Sequence, residues 1–251
     1  MTATMLRAEA FASPPEAVLL DIDNTVYAYD PAHRAAMERV TTKVVSSFGI
    51  AREAFHEAFA RARNEVKHAL GATASAHSRL LYFQRALELI GLGSQPLMAL
   101  DLEQTYWRTL LSSARLFDGV REFLDDLRLR GVPAVVVTDL TAQIQLRKLV
   151  YFGLDRYFDF VVTSEEAGAD KPSPLPFELA LRKLKEPRRT IWMVGDNPAT
   201  DILGARRAIP SVATIQKVHG GVVAGTGDGR PDAVVVNFAA LRALLKQSYG
   251  E

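Results

Sequence analysis

The sequence predicts a doubly wound α/β fold, a parallel β-sheet with helices on both faces, that carries an inserted all-helical domain. Three observations lead to this prediction. Short runs rich in valine and isoleucine recur along the chain, several of them without polar alternation, as in strands buried on both faces of a parallel sheet. Segments with helical spacing lie between these runs. One long stretch near the start of the chain shows helical spacing only.

Six segments have the composition of buried strands. In chain order they cover residues 17–21, 133–139, 158–164, 190–196, 211–216 and 232–237. The segments between them repeat their apolar residues with helical periodicity, and in 119–130 this places Val120, Phe123 and Leu127 on one face. Strands that alternate with helices predict a doubly wound core.

The region from residue 28 to residue 114 contains no convincing strand. Its amphipathic segments predict four helices, at His33–Phe48, Arg52–Leu70, Ala76–Ile90 and Leu97–Leu111. We therefore predict a helical domain over 28–114 and an α/β core formed by 17–27 with 115–251. Residues 1–16 are expected to be a flexible segment, and the glycine-dense stretch 219–230 a mobile surface loop.

The composition limits the classes of protein to which the chain can belong. Of its 251 residues, 48% are hydrophobic and 24% are charged, and the formal net charge is +1. This is typical of a soluble globular protein and gives no electrostatic indication of a nucleic-acid or membrane partner. The absence of cysteine excludes disulfides, thiolate metal sites and a cysteine nucleophile. Without a signal-peptide pattern or an uncharged run of about 20 residues, we expect a cytoplasmic protein.

Two aspartates, Asp21 and Asp23, follow the apolar run 17–20 with one residue between them. A carboxylate beside a buried strand is costly, and a second one adds repulsion between like charges. Residues two apart in an extended segment project to the same side, so both acids can face one ligand. The pair therefore indicates a function that uses two acids together.

Other polar residues stand at or just beyond the ends of predicted strands. They are Thr138 in VVVTDL, Lys171 in ADKPSP, and Asp196 and Asp201 in VGDNPATD. Open α/β sheets bind their ligands at this edge. The acids can hold a hard divalent cation such as Mg²⁺, while Lys171 and Thr138 offer donors to a phosphoryl group. One of the leading aspartates can then attack phosphorus and form an acyl-phosphate.

The order of these motifs, DxDxT, a strand that ends in a hydroxyl residue, KP and GDNxxxxD, resembles the haloacid dehalogenase (HAD) superfamily in its phosphatase branch. The resemblance extends from about residue 17 to the end of the chain, and the helical block resembles that superfamily's C1-type helical cap. It implies a Rossmann-like core and a Mg²⁺-dependent phosphatase that acts through an aspartyl-phosphate. The implied substrate is a small phosphomonoester of the nucleotide, sugar phosphate or phosphoglycolate type.

The resemblance also implies roles for individual residues. Asp21 would be the nucleophile, and Asp23 would be the general acid for the leaving oxygen and then the base that activates water. Thr138 would bind the phosphoryl oxygens. Lys171 would balance the charge of both the nucleophile and the phosphoryl group.

For the metal, the resemblance implies Asp196 as a direct ligand of Mg²⁺. Asp21 and the backbone carbonyl of Asp23 would also reach the ion. Asp201 would support the site without binding the ion directly, either by holding the residues that do or through a water molecule.

One position departs from the family pattern, because Asp139 follows Thr138 where many members have Asn or Gly. An additional acid beside a phosphate is unfavourable unless it points away or accepts a bond from a backbone amide. We assign Asp139 to the phosphate-binding segment and leave open whether it influences substrate choice or caps the next helix. Within the cap, Arg79 is the favoured specificity residue, because it stands at the start of a helix. Asn24 and Thr25 are interpreted as turn and helix-start residues.

Four alternatives remain open on the sequence. A haloacid dehalogenase needs neither an acid for an alkoxide nor Mg²⁺, so Asp23 and GDNxxxxD argue against it. A phosphomutase of the same fold is poorly separated from a phosphatase. The helical insertion argues against a receiver-like phospho-switch, which does not need it. The complete set of residues required for catalysis argues against a non-catalytic binding protein. We expect a small-molecule phosphate as partner, no nucleic acid and no membrane, and either a monomer or a homodimer.

Overall fold

The computed structural model of the chain describes residues 3–185 and 189–251. The chain separates into two units, each with its own internal packing. The sheet unit is formed by Met1–Ala28 and Arg115–Glu251, and the helical unit by Tyr29–Ala114. The predicted helical domain begins one residue earlier, at 28, and ends at the same residue.

Ten α-helices are present in the described residues. The helical unit contains α1 (Tyr29–Phe48), α2 (Arg52–Leu70), α3 (Arg79–Leu89) and α4 (Pro96–Ser113); the sheet unit contains α5 (Val120–Leu129), α6 (Ala142–Tyr151), α7 (Ser164–Ala167), α8 (Leu175–Leu184), α9 (Leu203–Ala208) and α10 (Phe238–Ser248). None of the described helices combines the length and the apolar character that crossing a membrane requires.

The sheet has seven strands in the described residues. They are β1 (Thr4–Met5), β2 (Ala17–Leu20), β3 (Ala134–Thr138), β4 (Phe160–Thr163), β5 (Ile191–Gly195), β6 (Ala213–Lys217) and β7 (Ala233–Val235). Their order is β1-β7-β6-β5-β2-β3-β4, and every neighbouring pair is parallel except β1 with β7. The predicted α/β fold with a mostly parallel sheet is thereby confirmed.

Strand β2 lies at the centre of this sheet, between β3 and β5. Its Leu19 pairs with Val135 on one side and with Met193 on the other. All four residues of β2 are buried, which explains why its sequence is apolar without alternation. On one face Leu19 and Val135 belong to a core that includes Phe177 of α8.

The helical unit has four α-helices near the four predicted positions, but α3 begins later than expected. Residues 74–77 form a separate 3₁₀ turn, and Ser78 then caps α3 by accepting a hydrogen bond from Leu81 N at 3.3 Å. A serine at this position is a strong N-cap, so it sets the start of the helix at Arg79. Arg79 therefore occupies the first position of α3, which agrees with the expectation that it stands at the start of a helix.

The N-terminal segment belongs to the sheet unit, which corrects the expectation that 1–16 is flexible. Strand β1 extends the sheet beyond β7, and Leu6 N donates to Asp232 O at 2.8 Å. Phe11 is buried and packs edge-on against Trp192, with ring centroids 5.3 Å apart. A strand of two residues and one isolated aromatic are too short to produce a periodic signal. Residues 1 and 2 lie outside the described part of the chain.

The glycine-dense stretch is also held in place. Gln216 of β6 is buried, and its Nε2 donates to Val223 O at 2.9 Å while its Oε1 accepts from Gly225 N at 2.8 Å. A Cβ atom on Gly225 would lie 2.7 Å from Cβ of Pro198. The glycine therefore permits close packing of this loop. The structure thus differs from the prediction of a mobile surface loop, because Gln216 and Pro198 hold these residues in place.

Candidate active site

The polar residues singled out in the sequence meet at the carboxyl-terminal edge of the sheet. Asp21 follows β2, Thr138 is the last residue of β3, and Asp196 follows β5. Because β3, β2 and β5 are adjacent and parallel, their carboxyl ends bring these residues to one edge. This is the edge at which open α/β sheets bind ligands.

Lys171 connects two of the predicted acids. Its Nζ donates to Oδ1 of Asp21 at 2.7 Å, to Oδ1 of Asp201 at 2.6 Å, and to Val137 O at 3.1 Å. An ammonium group has three protons, so each has an acceptor. Burial works against the charge of Lys171, but Asp201 and Asp21 raise its pKa well above the ordinary value. The ammonium therefore stays charged.

Asp21 is held from both sides of its carboxylate. While Oδ1 accepts from Lys171, Oδ2 accepts from the hydroxyl of Thr25 at 3.1 Å. Asn24 makes this contact possible by adopting a left-handed conformation, φ +62°, which asparagine tolerates better than most residues. Thr25 is thus more than the turn or helix-start residue predicted from the sequence. Burial raises the pKa of Asp21 to about 7, with Lys171 opposing the shift.

Asp201 is buried and fixed at both oxygens. Its Oδ1 accepts from Lys171 at 2.6 Å and its Oδ2 from Asn197 N at 3.0 Å. It lies in a π-helical turn, Pro198–Ile202, that Asn197 caps by accepting from Ala199 N at 2.9 Å. The carboxylate packs against the end of β5 at Gly195, where a Cβ atom would lie 2.5 Å from Asp201 Cγ. Only glycine permits this approach.

The carboxylates of Asp21, Asp196 and Asp201 have ligand atoms within 4.8 Å of one another. Burial raises the pKa of Asp196 to about 8, and the charges of Asp21 and Asp201 add to the shift. Three acids around one lysine leave an excess of negative charge, which a divalent cation would relieve. Hard oxygen donors are what Mg²⁺ prefers, so this donor set fits such an ion.

Asp23 has a different partner from Asp21. The ammonium of Lys148, a fully buried residue of α6, lies 2.6 Å from Oδ1 and 2.7 Å from Oδ2 of Asp23. The hydroxyl of Tyr27 also donates to Oδ1. Burial works against ionisation of Asp23, but the charge and hydrogen bond of Lys148, together with Tyr27, lower its pKa below the ordinary value. Asp23 is therefore a carboxylate at neutral pH.

Thr138 and Asp139 point to different partners. The buried Thr138 hydroxyl accepts from Gln145 Nε2 at 2.8 Å. Oδ1 of Asp139 accepts from the backbone N–H of Lys171 at 2.9 Å, so its carboxylate braces the lysine segment. The alternative that Asp139 caps the next helix is wrong, because Ala142 N donates to Glu165 instead, at 2.8 Å. Burial raises the pKa of Asp139.

Gln145 and Lys148 were missed by the sequence analysis, although a signal for them exists. They are three residues apart and share the buried face of α6 with Ile144 and Leu149. Polar residues on the buried face of a helix are unusual unless they are paired. Their position directly after Thr138 places that face against the candidate site.

A further buried cation, Lys217, is the last residue of β6. Its Nζ donates to Val218 O at 3.1 Å and lies 4.1 Å from the ring centroid of Phe117. Burial lowers the pKa of Lys217 to about 8, and the charge of Asp196 opposes the shift.

Arg79 occupies an unusual environment in the helical unit. Its guanidinium donates to the Tyr29 hydroxyl at 2.6 Å and to His77 O at 2.7 Å, and lies 5.4 Å from the ring centroid of Tyr106. Among the described residues it forms no ion pair with a carboxylate. Burial and the charge of Arg79 lower the pKa of His33 to about 4, so this ring is neutral near pH 7. The guanidinium of Arg79 is therefore surrounded by tyrosine hydroxyls and a neutral ring rather than by an ion-paired carboxylate.

Comparison with known proteins shows which family the chain resembles. The model of the haloacid dehalogenase-like hydrolases matches residues 15–208. A ribulose-1,5-bisphosphate 5-phosphatase from Halopiger xanaduensis is 41% identical over 193 residues, or 75% of this chain and 80% of the relative. A glyceraldehyde 3-phosphate phosphatase from Methanopyrus kandleri is 32% identical over 196 residues, or 77% and 80%.

Solved structures show the same fold. The 2-haloacid dehalogenase of Pseudomonas syringae pv. Tomato DC3000 superposes with a TM-score of 0.68 and 25% identity, covering 92% of this chain and 97% of that one. A HAD phosphatase from Thermococcus onnurineus superposes with a TM-score of 0.66 and 24% identity, covering 91% and 97%.

The chain belongs to the haloacid dehalogenase-like hydrolase family, and within that family it is a phosphatase, a hydrolase of phosphomonoesters. The family, the fold and the enzyme class predicted from the sequence are thereby confirmed.

The close approach of Asp201 to Gly195 generates a test. A Gly195→Ala substitution forces the Asp201 carboxylate away from Lys171 and from Asn197 N, so we expect the free energy of unfolding to fall by about 1–3 kcal/mol. Urea denaturation measures the change. Gly220→Ala is the matched control, because a Cβ atom there meets nothing within 4 Å. Equal stability of the two variants would contradict the packing described.

Proposed function

We propose that the protein is a Mg²⁺-dependent phosphatase that hydrolyses a small sugar phosphate through an aspartyl-phosphate on Asp21. The observation that carries this proposal is the environment of Asp21, a buried carboxylate that shares Lys171 with Asp201. Such a group is restrained at both oxygens and lies at the ligand-binding edge of the sheet. Restraint of this kind lowers the entropic cost of reaching the reacting geometry.

Asp21, Asp196 and the backbone carbonyl of Asp23 would hold the cation, with Asp201 in support through its bonds to Lys171 and Asn197 N. When bound, Mg²⁺ supplies positive charge that offsets the negative charge of the phosphoryl group. Lys171 supplies a fixed positive charge beside Asp21. Gln145 already donates to the hydroxyl oxygen of Thr138, so the hydroxyl proton, which makes a long hydrogen bond of 3.4 Å to Asp139 O, would turn to a phosphoryl oxygen.

Asp23 would carry the proton in both halves of the reaction. In the first half the leaving oxygen needs a proton, which Asp23 would take from the monoprotonated phosphate group of the entering substrate and pass to that oxygen. In the second half the ionised carboxylate, which Lys148 favours by lowering the pKa of Asp23, would accept the proton of the attacking water. One group performs both tasks because the two steps are chemically the reverse of each other.

Two observations favour a sugar phosphate with a second anionic group among the small phosphomonoesters. The Halopiger xanaduensis relative, at 41% identity, is named for a sugar bisphosphate. Arg79 is a cation without a carboxylate partner among the described residues, and the neutral His33 and two tyrosine hydroxyls beside it add polar groups without negative charge. A phosphate or carboxylate on the substrate would supply the missing charge, which makes Arg79 the proposed specificity residue.

The first prediction from the proposed function tests Asp21 as the nucleophile. An Asp21→Asn variant cannot form the acyl-phosphate, so we expect hydrolysis of 4-nitrophenyl phosphate with Mg²⁺ to fall by about 1,000-fold or more. Phosphate release measures the rate. Asp125→Asn, which changes an exposed aspartate of α5, is the matched control and should keep full activity. Full activity of Asp21→Asn would exclude the proposed mechanism.

The second prediction tests the metal through proton release. The pKa values of about 7 for Asp21 and about 8 for Asp196 mean that both groups carry protons in part near neutral pH without the ion. A cation favours their ionised forms, so Mg²⁺ should displace protons and bind more tightly as the pH rises from 6 to about 9, one unit above the higher pKa, and then level off.

Calorimetric titration with Mg²⁺ in two buffers of different ionisation enthalpy counts the protons released. We expect Asp196→Asn to weaken binding strongly and to reduce the release, while Asp125→Asn matches the wild type. Mg²⁺ binding with neither proton release nor pH dependence would show that these acids do not form the site.

The third prediction concerns Arg79. Replacement by methionine should lower kcat/KM for ribulose 1,5-bisphosphate by about 10-fold or more, and lower it less for 4-nitrophenyl phosphate, which has no second anion. Arg85→Met on the same helix is the control, because Arg85 is paired with Glu65 and Glu88. Arg79→Lys, which keeps the charge, should recover part of the loss. An equal loss on both substrates would indicate a structural role only.

A further inference from the structure

Helix α6 directs two buried polar residues at Asp23. Gln145 and Lys148 are both 0% exposed, and their spacing of three residues places them on one face of the helix. Lys148 contacts both oxygens of Asp23, and Gln145 Nε2 lies 3.5 Å from Oδ2. Neither residue belongs to the motifs from which the proposed function was built.

Stability alone does not explain a lysine at this position. A buried ammonium costs several kcal/mol in desolvation, and a well-packed apolar residue is often as stabilising as a buried ion pair. The same face of α6 carries Ile144 and Leu149, so an apolar side chain would suit the surroundings. The lysine is therefore better explained by what it does to Asp23.

The contacts fix the rotation of the Asp23 carboxylate. Lys148 Nζ straddles the two oxygens almost symmetrically, at 2.6 Å and 2.7 Å, and the Tyr27 hydroxyl donates to Oδ1. Tyr27 is itself fixed, since it is buried, packs against Phe152 with ring centroids 5.1 Å apart, and pairs with Leu116. The Asp23 carboxylate is thus held by two side chains that are themselves fully buried, Lys148 and Tyr27.

Gln145 connects the same helix to the phosphate-binding segment. Its Nε2 donates to Thr138 Oγ1 at 2.8 Å and to Asp139 O at 2.6 Å, while its Oε1 is buried without a hydrogen-bond partner in the described structure. An unsatisfied buried acceptor costs about 1–3 kcal/mol, so Gln145 is not explained by stability either. One helix face therefore sets the position of Asp23 relative to Thr138.

We propose that Lys148, assisted by Gln145, is a positioning residue that keeps Asp23 aimed at the leaving oxygen, and this inference rests on the proposed function. In the step concerned, a bond forms between Asp21 and phosphorus as the bond from phosphorus to the ester oxygen breaks. Asp23 gives its proton to that oxygen, which leaves as an alcohol. Water then attacks phosphorus, passes a proton to Asp23 and frees Asp21 with release of phosphate.

The consequence is a dependence on the leaving group. A nitrophenolate is stable enough to leave without a proton, whereas the alkoxide of a sugar is not. If Lys148 aims the acid, its loss should affect an alkyl phosphate far more than an aryl phosphate. If Lys148 only supports the fold, or only helps to bind phosphate, both substrates should suffer equally, because they share the same phosphoryl group.

The experiment compares kcat/KM of the full-length protein with Mg²⁺ on ribose 5-phosphate and on 4-nitrophenyl phosphate. This parameter covers the steps up to departure of the leaving group and is independent of the later attack by water. For Lys148→Met we expect a loss of about 100-fold or more on the sugar phosphate and less than about 10-fold on the aryl ester, mainly in kcat. Gln145→Met should show the same selectivity with a smaller loss.

Arg147→Met is the matched control, since Arg147 is an exposed cation next to Lys148 on the same helix. If Lys148→Met does not fold, as thermal unfolding would show, Lys148→Arg replaces it, because arginine keeps the charge but alters the geometry, and the same selectivity is expected. Equal losses on the two substrates, or no loss, would overturn the inference. Absence of turnover in the wild type, or an active Asp21→Asn variant, would instead refute the proposed function.

Discussion

The three hydrogen bonds of the Lys171 ammonium hold together a sheet edge that electrostatic repulsion would otherwise disturb. Their acceptors belong to the loop after β2, to the turn after β5 and to the backbone of β3, so one side chain joins three separate elements. Without it, Asp21 and Asp201 would be buried like charges with no counter-charge between them. The rest of the site is built around this constraint. Asp139 fixes the backbone of the lysine segment, and Gly195 leaves room for Asp201.

Asp21 and Asp23 have different lysine partners, although only one residue stands between them in the sequence. Lys171 restrains Asp21 within a group of acids whose pKa values are raised, whereas Lys148 restrains Asp23 and lowers its pKa. Acids that stand two residues apart thus have opposite electrostatic environments. Such a difference allows neighbouring carboxyl groups to take different chemical roles in one reaction. The helix after β3 creates the difference, because it supplies the second lysine.

Much of the fold was predictable because the signals are local. The uninterrupted apolar runs at β2, β3 and β5 indicate strands buried on both faces, and acids at their ends are conspicuous because burying them is costly. The partners were harder to predict. Lys148 lies 125 residues from Asp23 in the chain, so its place on the apolar face of α6 marks it as unusual without indicating its partner. The orientation of Asp139 depends on the loop between Thr138 and α6, where Leu140 has a left-handed φ of +95°.

Strand β1 has a consequence for how the sheet meets other molecules. It contributes two residues that run antiparallel to β7, and the chain then continues to Phe11, which packs on Trp192. The family match begins only at residue 15, so these contacts lie outside the segment that the chain shares with the family model. A chain shortened to that segment would leave the outer edge of β7 unpaired, and an unpaired edge is a template for association with other exposed strands. Strand β1 thus covers the edge of β7 that such association would use, away from the carboxyl-terminal edge of the sheet that carries the candidate site.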